Sequence, residues 1–345
     1  MPVIRHAERN KRPGVSYAVT DDGLELPVLD VTHPAFAFEL SDEKLAAMLS
    51  RFLDEQERFA KLPRWLQQPL ARFFLRGSRI GRGLRRAEHS FLDSMTTYLF
   101  KLGAEQLGSW AVPVDRKIVR SLPALSVRLR AQDMARLLAD GLAPRLADFA
   151  SRPLCFVNIA GGPAIDSLNA LIVLRRERPQ LLDSRRVELA VLDGDPRGPA
   201  FGARALAALQ EPGAALAGLS LDFEHTLYDW SDTSVLAAKL ASTKAHDAVL
   251  AVSSEGGLFE YGSDDDIIEN LQTLAQGADA RALFMVGSVT RDDAAIRALK
   301  RTSTLATKPR GLQAFTTLVA KADWRVERSI SRPFSDQVLL TPKGR

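Results

Sequence analysis

LCFVNIAGGPAIDSLNAL, residues 154–171, decides the fold. It opens as a short apolar run, Leu154 to Ile159, breaks at Gly161 and Gly162, and continues as a helical stretch over Ser167 to Arg176. A short buried strand, a turn and a helix make the first half of a βαβ unit, in which a parallel sheet is covered on both faces. Gly161 and Gly162 let the chain turn sharply and approach a ligand closely, because neither has a Cβ in the way. The first amides of the helix point at the same spot. Many strand-to-helix turns hold glycine for steric reasons only, so the weight comes from position. Open α/β sheets bind ligands beyond the carboxyl ends of their strands.

Working outward, VELAVLD (187–193) is a second apolar run, followed by a helical stretch over Ala200 to Leu209. LSLDF, AVLAVSS and ALFMVGS are further candidate strands, the last two preceded by helical segments. The tail differs: WRVERSI and DQVLLTP have only SRPFS between them, which predicts an antiparallel hairpin. Upstream of Pro153 the pattern is mostly helical. Ser41 is a candidate N-cap, with Asp42 and Glu43 in the first turn and Leu45, Met48, Leu49, Phe52 and Leu53 at amphipathic spacing. Two more helical runs cover Ser90 to Leu107 and Ala131 to Phe149, with Pro113 and Pro123 as breakers and Gly77, Gly81 and Gly83 before them. The expected organisation is an N-terminal, mainly helical cap over residues 1–150 and an α/β domain over 151–345.

Composition bounds the function. The chain has 345 residues, 46% hydrophobic and 26% charged, which is globular, and no apolar run is long enough for a membrane span. The charged N-terminus has no apolar core and does not read as a secretory signal. Cys155 is the only cysteine, so no intrachain disulfide forms, which fits a reducing cytoplasm. Arg64, Arg72, Arg76, Arg79, Arg82, Arg85 and Arg86 lie in a stretch without acids. Such a run can form a site for phosphate, a carboxylate or RNA, but is usually a solvated helix face, and no RNA-recognition signature accompanies it. The oligomeric state is not legible.

The second chemical motif is the acidic end of VELAVLDGDP (187–196). A carboxylate there can accept both hydrogen bonds of a ribose diol, and Asp193 is the better placed, with Asp195 as runner-up. A dinucleotide dehydrogenase would need G-x-G-x-x-G and an acid about 20 positions on. A-G-G-P-A-I and the distant Asp193 do not match, so NAD is disfavoured. In YDWSD (228–232), Trp230 can stack on an adenine while Asp229 accepts from its amino group; a turn with a core tryptophan is the plain alternative. The loop SSEGGLFEYG (253–262) follows AVLAV and begins with Ser253 and Ser254. Ser263 with Asp264, Asp265 and Asp266 is an N-cap and acidic first turn rather than a metal cluster. No metal motif is present.

These elements together resemble the class I S-adenosylmethionine (SAM)-dependent methyltransferases over residues 151–345. The resemblance implies a Rossmann-like seven-stranded sheet with an antiparallel last strand, and SAM as co-substrate. It implies that Asn158, Gly161 and Gly162 lie against the methionyl part, that Asp193 holds the ribose, and that Asp229 and Trp230 flank the adenine. It places substrate groups beside the loop from Ser253, so Ser253 and Ser254 join the candidates for cofactor binding. Two departures stand out: Asn158 replaces the usual acid opening the first motif, and Pro163–Ala164 replace the third glycine.

Methyl transfer from a sulfonium is chiefly alignment and exclusion of water, and a base is needed only if the acceptor carries its proton. Glu255 is the candidate base, Tyr261 its hydrogen-bonding partner, and Tyr98 and His89 could reach in from a helical lid. That lid would present Phe91, Leu92, Met95, Tyr98, Leu99 and Leu102, with the three upstream glycines as hinge. The reading is a methyltransferase acting on a small molecule, in specialised metabolism. The alternatives are a SAM-consuming cyclase that closes an azetidine ring and expels methylthioadenosine, an RNA methyltransferase, and a non-catalytic binding protein.

Overall fold

The computed structural model describes residues 3–61, 63, 75–87, 90–245, 247–301, 303 and 305–344. The strands are β1 (Tyr17–Val19), β2 (Glu25–Pro27), β3 (Leu154–Ile159), β4 (Val187–Leu192), β5 (Leu221–Thr226), β6 (Val249–Ser254), β7 (Leu283–Thr290), β8 (Trp324–Arg332) and β9 (Ser335–Pro342). The N-terminal helices are α1 (Asp42–Ala60), α2 (Arg79–Arg86), α3 (Ser94–Leu102), α4 (Pro113–Val119) and α5 (Leu122–Asp148). Downstream come α6 (Ile165–Glu177), α7 (Arg197–Gln210), α8 (Ser234–Ala245), α9 (Leu258–Tyr261), α10 (Asp264–Gly277), α11 (Ala294–Lys300) and α12 (Gly311–Ala320).

β3 to β9 form one sheet in the order β5-β4-β3-β6-β7-β9-β8. β3, β4, β5, β6 and β7 are parallel, and β9 runs antiparallel to both β7 and β8. This is the Rossmann-like seven-stranded sheet with antiparallel last strand that the resemblance implies. The chain first builds outward through β4 and β5, then crosses to the other side of β3 for β6. Strand order therefore reverses at β3, and a crevice opens at the carboxyl ends there.

The period-2 alternation of β3 sorts its side chains between two cores. Leu154 and Phe156 join Phe284, Val286 and residues of α5, α6 and α7 on one face. Cys155, Val157 and Ile159 join Leu236, Leu271 and Phe315 on the other. Helix α5 belongs to the first core through Met134, Leu137, Leu138, Leu142 and Leu146. It starts at Leu122, not at Ala131 as expected, because Pro123 occupies the first turn, where a missing N–H costs nothing. The expected run Ser90–Leu107 narrows to α3, capped by the Asp93 carboxylate and ended by Gly103 at φ 82°. The β1–β2 hairpin was not expected; each strand has three residues, too few to show alternation. The Ser41 cap of α1 and the Ser263 cap of α10 form as read, and Asp266 completes the latter as a capping box.

Gly81 and Gly83 do not form a hinge. Both are buried within α2, and a Cβ on Gly83 would overlap the Thr96 hydroxyl of α3. Glycine in a helix interior otherwise costs stability relative to alanine, so the sign of one substitution separates the two roles. Gly83→Ala is expected to destabilise the protein by about 1–3 kcal/mol through overpacking, read by urea denaturation. Stabilisation would restore the hinge reading. Gly77, at φ 79° with open space around it, keeps the geometry of a turn. Arg64, Arg72 and His89 lie outside the described residues. No described helix is long and apolar enough to cross a membrane.

Candidate functional site

A cleft of about 790 Å³ opens at the carboxyl edge of the sheet. Its wall is built from the loops after four strands: Ala160 to Pro163, Asp193 to Arg197, Tyr228 to Trp230, and Glu255 to Gly257 with Tyr261. The N-terminal segment closes it with Arg86, Ala87, Ser90 to Ser94, Thr97 and Lys101. The turn after β3 is tightly wound, with Ala160 at φ 53° and Ala164 at φ 51°, a left-handed conformation that L side chains seldom adopt. Gly162 has φ 60°, and a Cβ there would overlap Ser94; one on Gly198 would meet both Ser94 and Gly162. Three chain segments thus converge at this corner only because two of them carry glycine.

Asp193 sits where the acidic strand end was expected to act. Its Oδ2 accepts the Gly162 N–H at 2.9 Å and its Oδ1 the Asp195 N–H at 2.8 Å. Burial raises its pKa, and the two amides oppose that rise. Each oxygen still has a lone pair for a hydroxyl donor. Asp195 also lines the cleft, but its carboxylate is held by Arg197 at 2.8 and 2.9 Å.

Trp230 lines the cleft, and its ring is 6.3 Å from Phe91, which in turn is 5.7 Å from Tyr261. These edge-to-face contacts put an aromatic rim on the opening, and Phe91 is 59% exposed in it. Asp229 is exposed and caps the Ser231 N–H at 3.0 Å. Burial, with the Glu260 charge, pushes the Tyr261 phenol up to about 12.

Several sequence candidates lie outside the cleft. Tyr98 is fully buried; its hydroxyl donates to the Pro27 carbonyl at 2.7 Å and accepts the Leu29 N–H at 3.0 Å. It points to the inner side of α3, so it anchors the N-terminal segment and does not reach the site. Asn158 lies beneath the glycine turn, donating to Asp166 and Ser253 at 2.8 Å each. Ser253 and Ser254 are likewise buried, and the Ser254 hydroxyl accepts the Leu258 N–H. The apolar lid face is also corrected: Leu99 and Leu102 enter the core, while the polar Ser94, Thr97 and Lys101 face the cleft.

Glu255 reaches the cleft as part of an ion cluster. It accepts from Lys101 Nζ at 2.6 Å and from Arg130 Nε at 3.2 Å, and Arg130 also donates to Glu260 at 2.8 Å. Burial would raise the Glu255 pKa, but the Lys101 and Arg130 charges outweigh it and hold the carboxyl below the usual carboxylate range. A carboxylate so held is an ion-pair anchor and a poor base, which corrects the expected role. Lys101 and Arg130 were missed in the sequence, where nothing links them to Glu255.

Asp166 lies deeper, and burial, with the Glu255 charge, raises its carboxyl from 3.8 to about 6. Between these values the folded protein keeps a proton that the unfolded chain has released, so stability falls as pH rises through the window. Asp166→Asn keeps an acceptor for Asn158 and removes the ionisation. It should abolish that decline and raise stability at about pH 8 by on the order of 2 kcal/mol. Denaturation curves across this range test it, and an unchanged pH slope would show that Asp166 ionises normally.

No protein-family profile and no curated protein matches the chain. Among solved structures it is similar to a pericyclic reaction enzyme, with 18% identity over 56% of this chain and 43% of that one, and a TM-score of 0.36. It is also similar to LepI in complex with SAM, with 12% identity over 87% and 94% and a TM-score of 0.44. A third is the mitomycin 7-O-methyltransferase MmcR, with 14% identity over 85% and 75% and a TM-score of 0.39. The chain spans less than half the length of the first of these. Strand order, rather than these distant likenesses, identifies the fold.

Proposed function

We propose that the chain is a SAM-dependent methyltransferase acting on a small molecule, in specialised metabolism. The observation that carries the reading is one cleft at the strand-order reversal that combines the Gly161–Gly162 turn, buried Asp193 and Trp230 under a roof from residues 90–101. Its volume lies toward the upper end of cofactor and small-molecule sites, with room for a nucleoside cofactor and a small acceptor. The donor set fits: Asp193 offers lone pairs to a ribose diol, Trp230 a face to adenine, and the glycine turn close backbone approach. The cofactor supplies an electrophilic methyl group. The protein's part is to orient the two reactants and exclude water, which α3 and Phe91 do from above. Residues 1–150 act in this reading as the cap of the 151–345 domain. Of the described arginines in the acid-free run, Arg79 pairs with Asp22 and Arg85 donates to the Leu75 carbonyl, while Arg76, Arg82 and Arg86 are exposed.

The test is calorimetry of the full chain with S-adenosylhomocysteine, followed by incubation with SAM and product identification by mass spectrometry. Binding, with methyl transfer once an acceptor is supplied, supports the reading. Rapid release of methylthioadenosine from SAM with no acceptor present would replace it by the cyclase. Failure to bind either compound would remove the cofactor.

A further inference from the structure

Ser94, Thr97 and Lys101 share one face of α3, at helical spacing, and all three line the cleft. Ser94 packs on the turn after β3, while Lys101, two turns on, reaches Glu255 after β6. Its side chain is only 4% exposed. The ammonium carries three N–H donors, and Glu255 is its only hydrogen-bond partner among the described residues. That carboxylate also accepts from Arg130, whose second partner is Glu260, so the ion cluster is balanced and what Lys101 has to spare is N–H donors. Buried donors without acceptors are costly, and the cleft is the side from which acceptors can come.

We propose that Lys101 receives the carboxylate of a molecule bound in the cleft. The inference rests on the SAM reading above and extends it. An ammonium with donors to spare suits a carboxylate, whose two oxygens are strong acceptors, and the Glu255 pair holds it in place. The carboxylate has two possible sources, the amino-acid end of the cofactor or the acceptor.

Calorimetry of wild type and Lys101→Met distinguishes them. If the cofactor is the source, K101M weakens S-adenosylhomocysteine binding by roughly ten- to a hundredfold and leaves methylthioadenosine, which lacks the amino acid, unchanged. If the acceptor is the source, both nucleosides bind K101M as they bind wild type. Benzoate titrated into the S-adenosylhomocysteine complex then binds wild type and not K101M. Should K101M fail to fold, the double variant K101M/E255Q, which leaves Arg130 paired to Glu260, is used for the same titrations. Equal loss of both nucleosides, or S-adenosylhomocysteine binding unchanged in K101M with no Lys101-dependent benzoate binding, overturns the proposal. Wild type that binds neither nucleoside instead removes the cofactor reading itself.

Discussion

Arg130→Ala is expected to cost about 3–5 kcal/mol of folding stability, the penalty for leaving buried charge unpaired. Arg130 is 7% exposed and bridges two carboxylates that are themselves buried, Glu255 and Glu260. Burial alone would depress its pKa, but those two charges raise it above the ordinary arginine value. Without the guanidinium, Glu255 keeps Lys101, whereas Glu260 keeps, among the described residues, only a neutral donor, the Ser288 hydroxyl at 2.9 Å. Glu260→Gln in the same background should recover part of the loss, since the penalty comes from the stranded charge. The acid limb should change too. Glu255 is depressed, so it contributes stability above its unfolded pKa that is lost as pH falls through the folded value. Removing one of its two cations makes that loss shallower. Urea denaturation at several pH values measures both effects, and a cost under about 1 kcal/mol would show the cluster to be solvated.

The same cluster shows where sequence reading stops. Lys101 and Arg130 lie 154 and 125 residues from Glu255. Nothing local marks a lysine on an amphipathic helix as half of a buried pair. The strands were legible for the opposite reason. A parallel strand covered on both faces is mostly apolar, so β3, β4 and β6 stand out as short, largely apolar runs with few polar residues. Candidate residues that follow strand ends, Gly161, Gly162, Asp193 and Trp230, reach the cleft because the strand end fixes their place. Asn158, Ser253 and Ser254 still belong to strands, and they are buried beneath the turn. Tyr98 and Lys101 differ by less than one helical turn, yet one enters the core and the other the cleft. Their roles depend on which side of α3 meets the sheet, and that follows from Gly162 and Gly198 admitting Ser94.

Asp193→Ala is expected to weaken S-adenosylhomocysteine binding by about 2–3 kcal/mol, a charged acceptor's share of two hydrogen bonds, and to slow the proposed methyl transfer accordingly. Two effects add in the same direction. The carboxylate is the acceptor proposed for the ribose diol, and it also ties the Gly162 and Asp195 amides together across the β3 and β4 loops. Losing it frees the turn that must approach the ligand, so the bound geometry has to be ordered on binding. Asp193→Asn separates the two contributions. One side-chain oxygen survives and can keep one amide, while the other position becomes a donor facing an N–H. The amide should therefore bind the cofactor product more weakly than wild type and more tightly than alanine. Asp195→Ala is the control, because that carboxylate is already held by Arg197 and its loss should change affinity by less than about 1 kcal/mol. If calorimetry gives the reverse order, with D195A abolishing binding and D193A leaving it intact, the ribose acceptor is Asp195. If neither variant changes affinity, the nucleoside does not lie against this strand end, and the cleft must hold its ligand in another orientation.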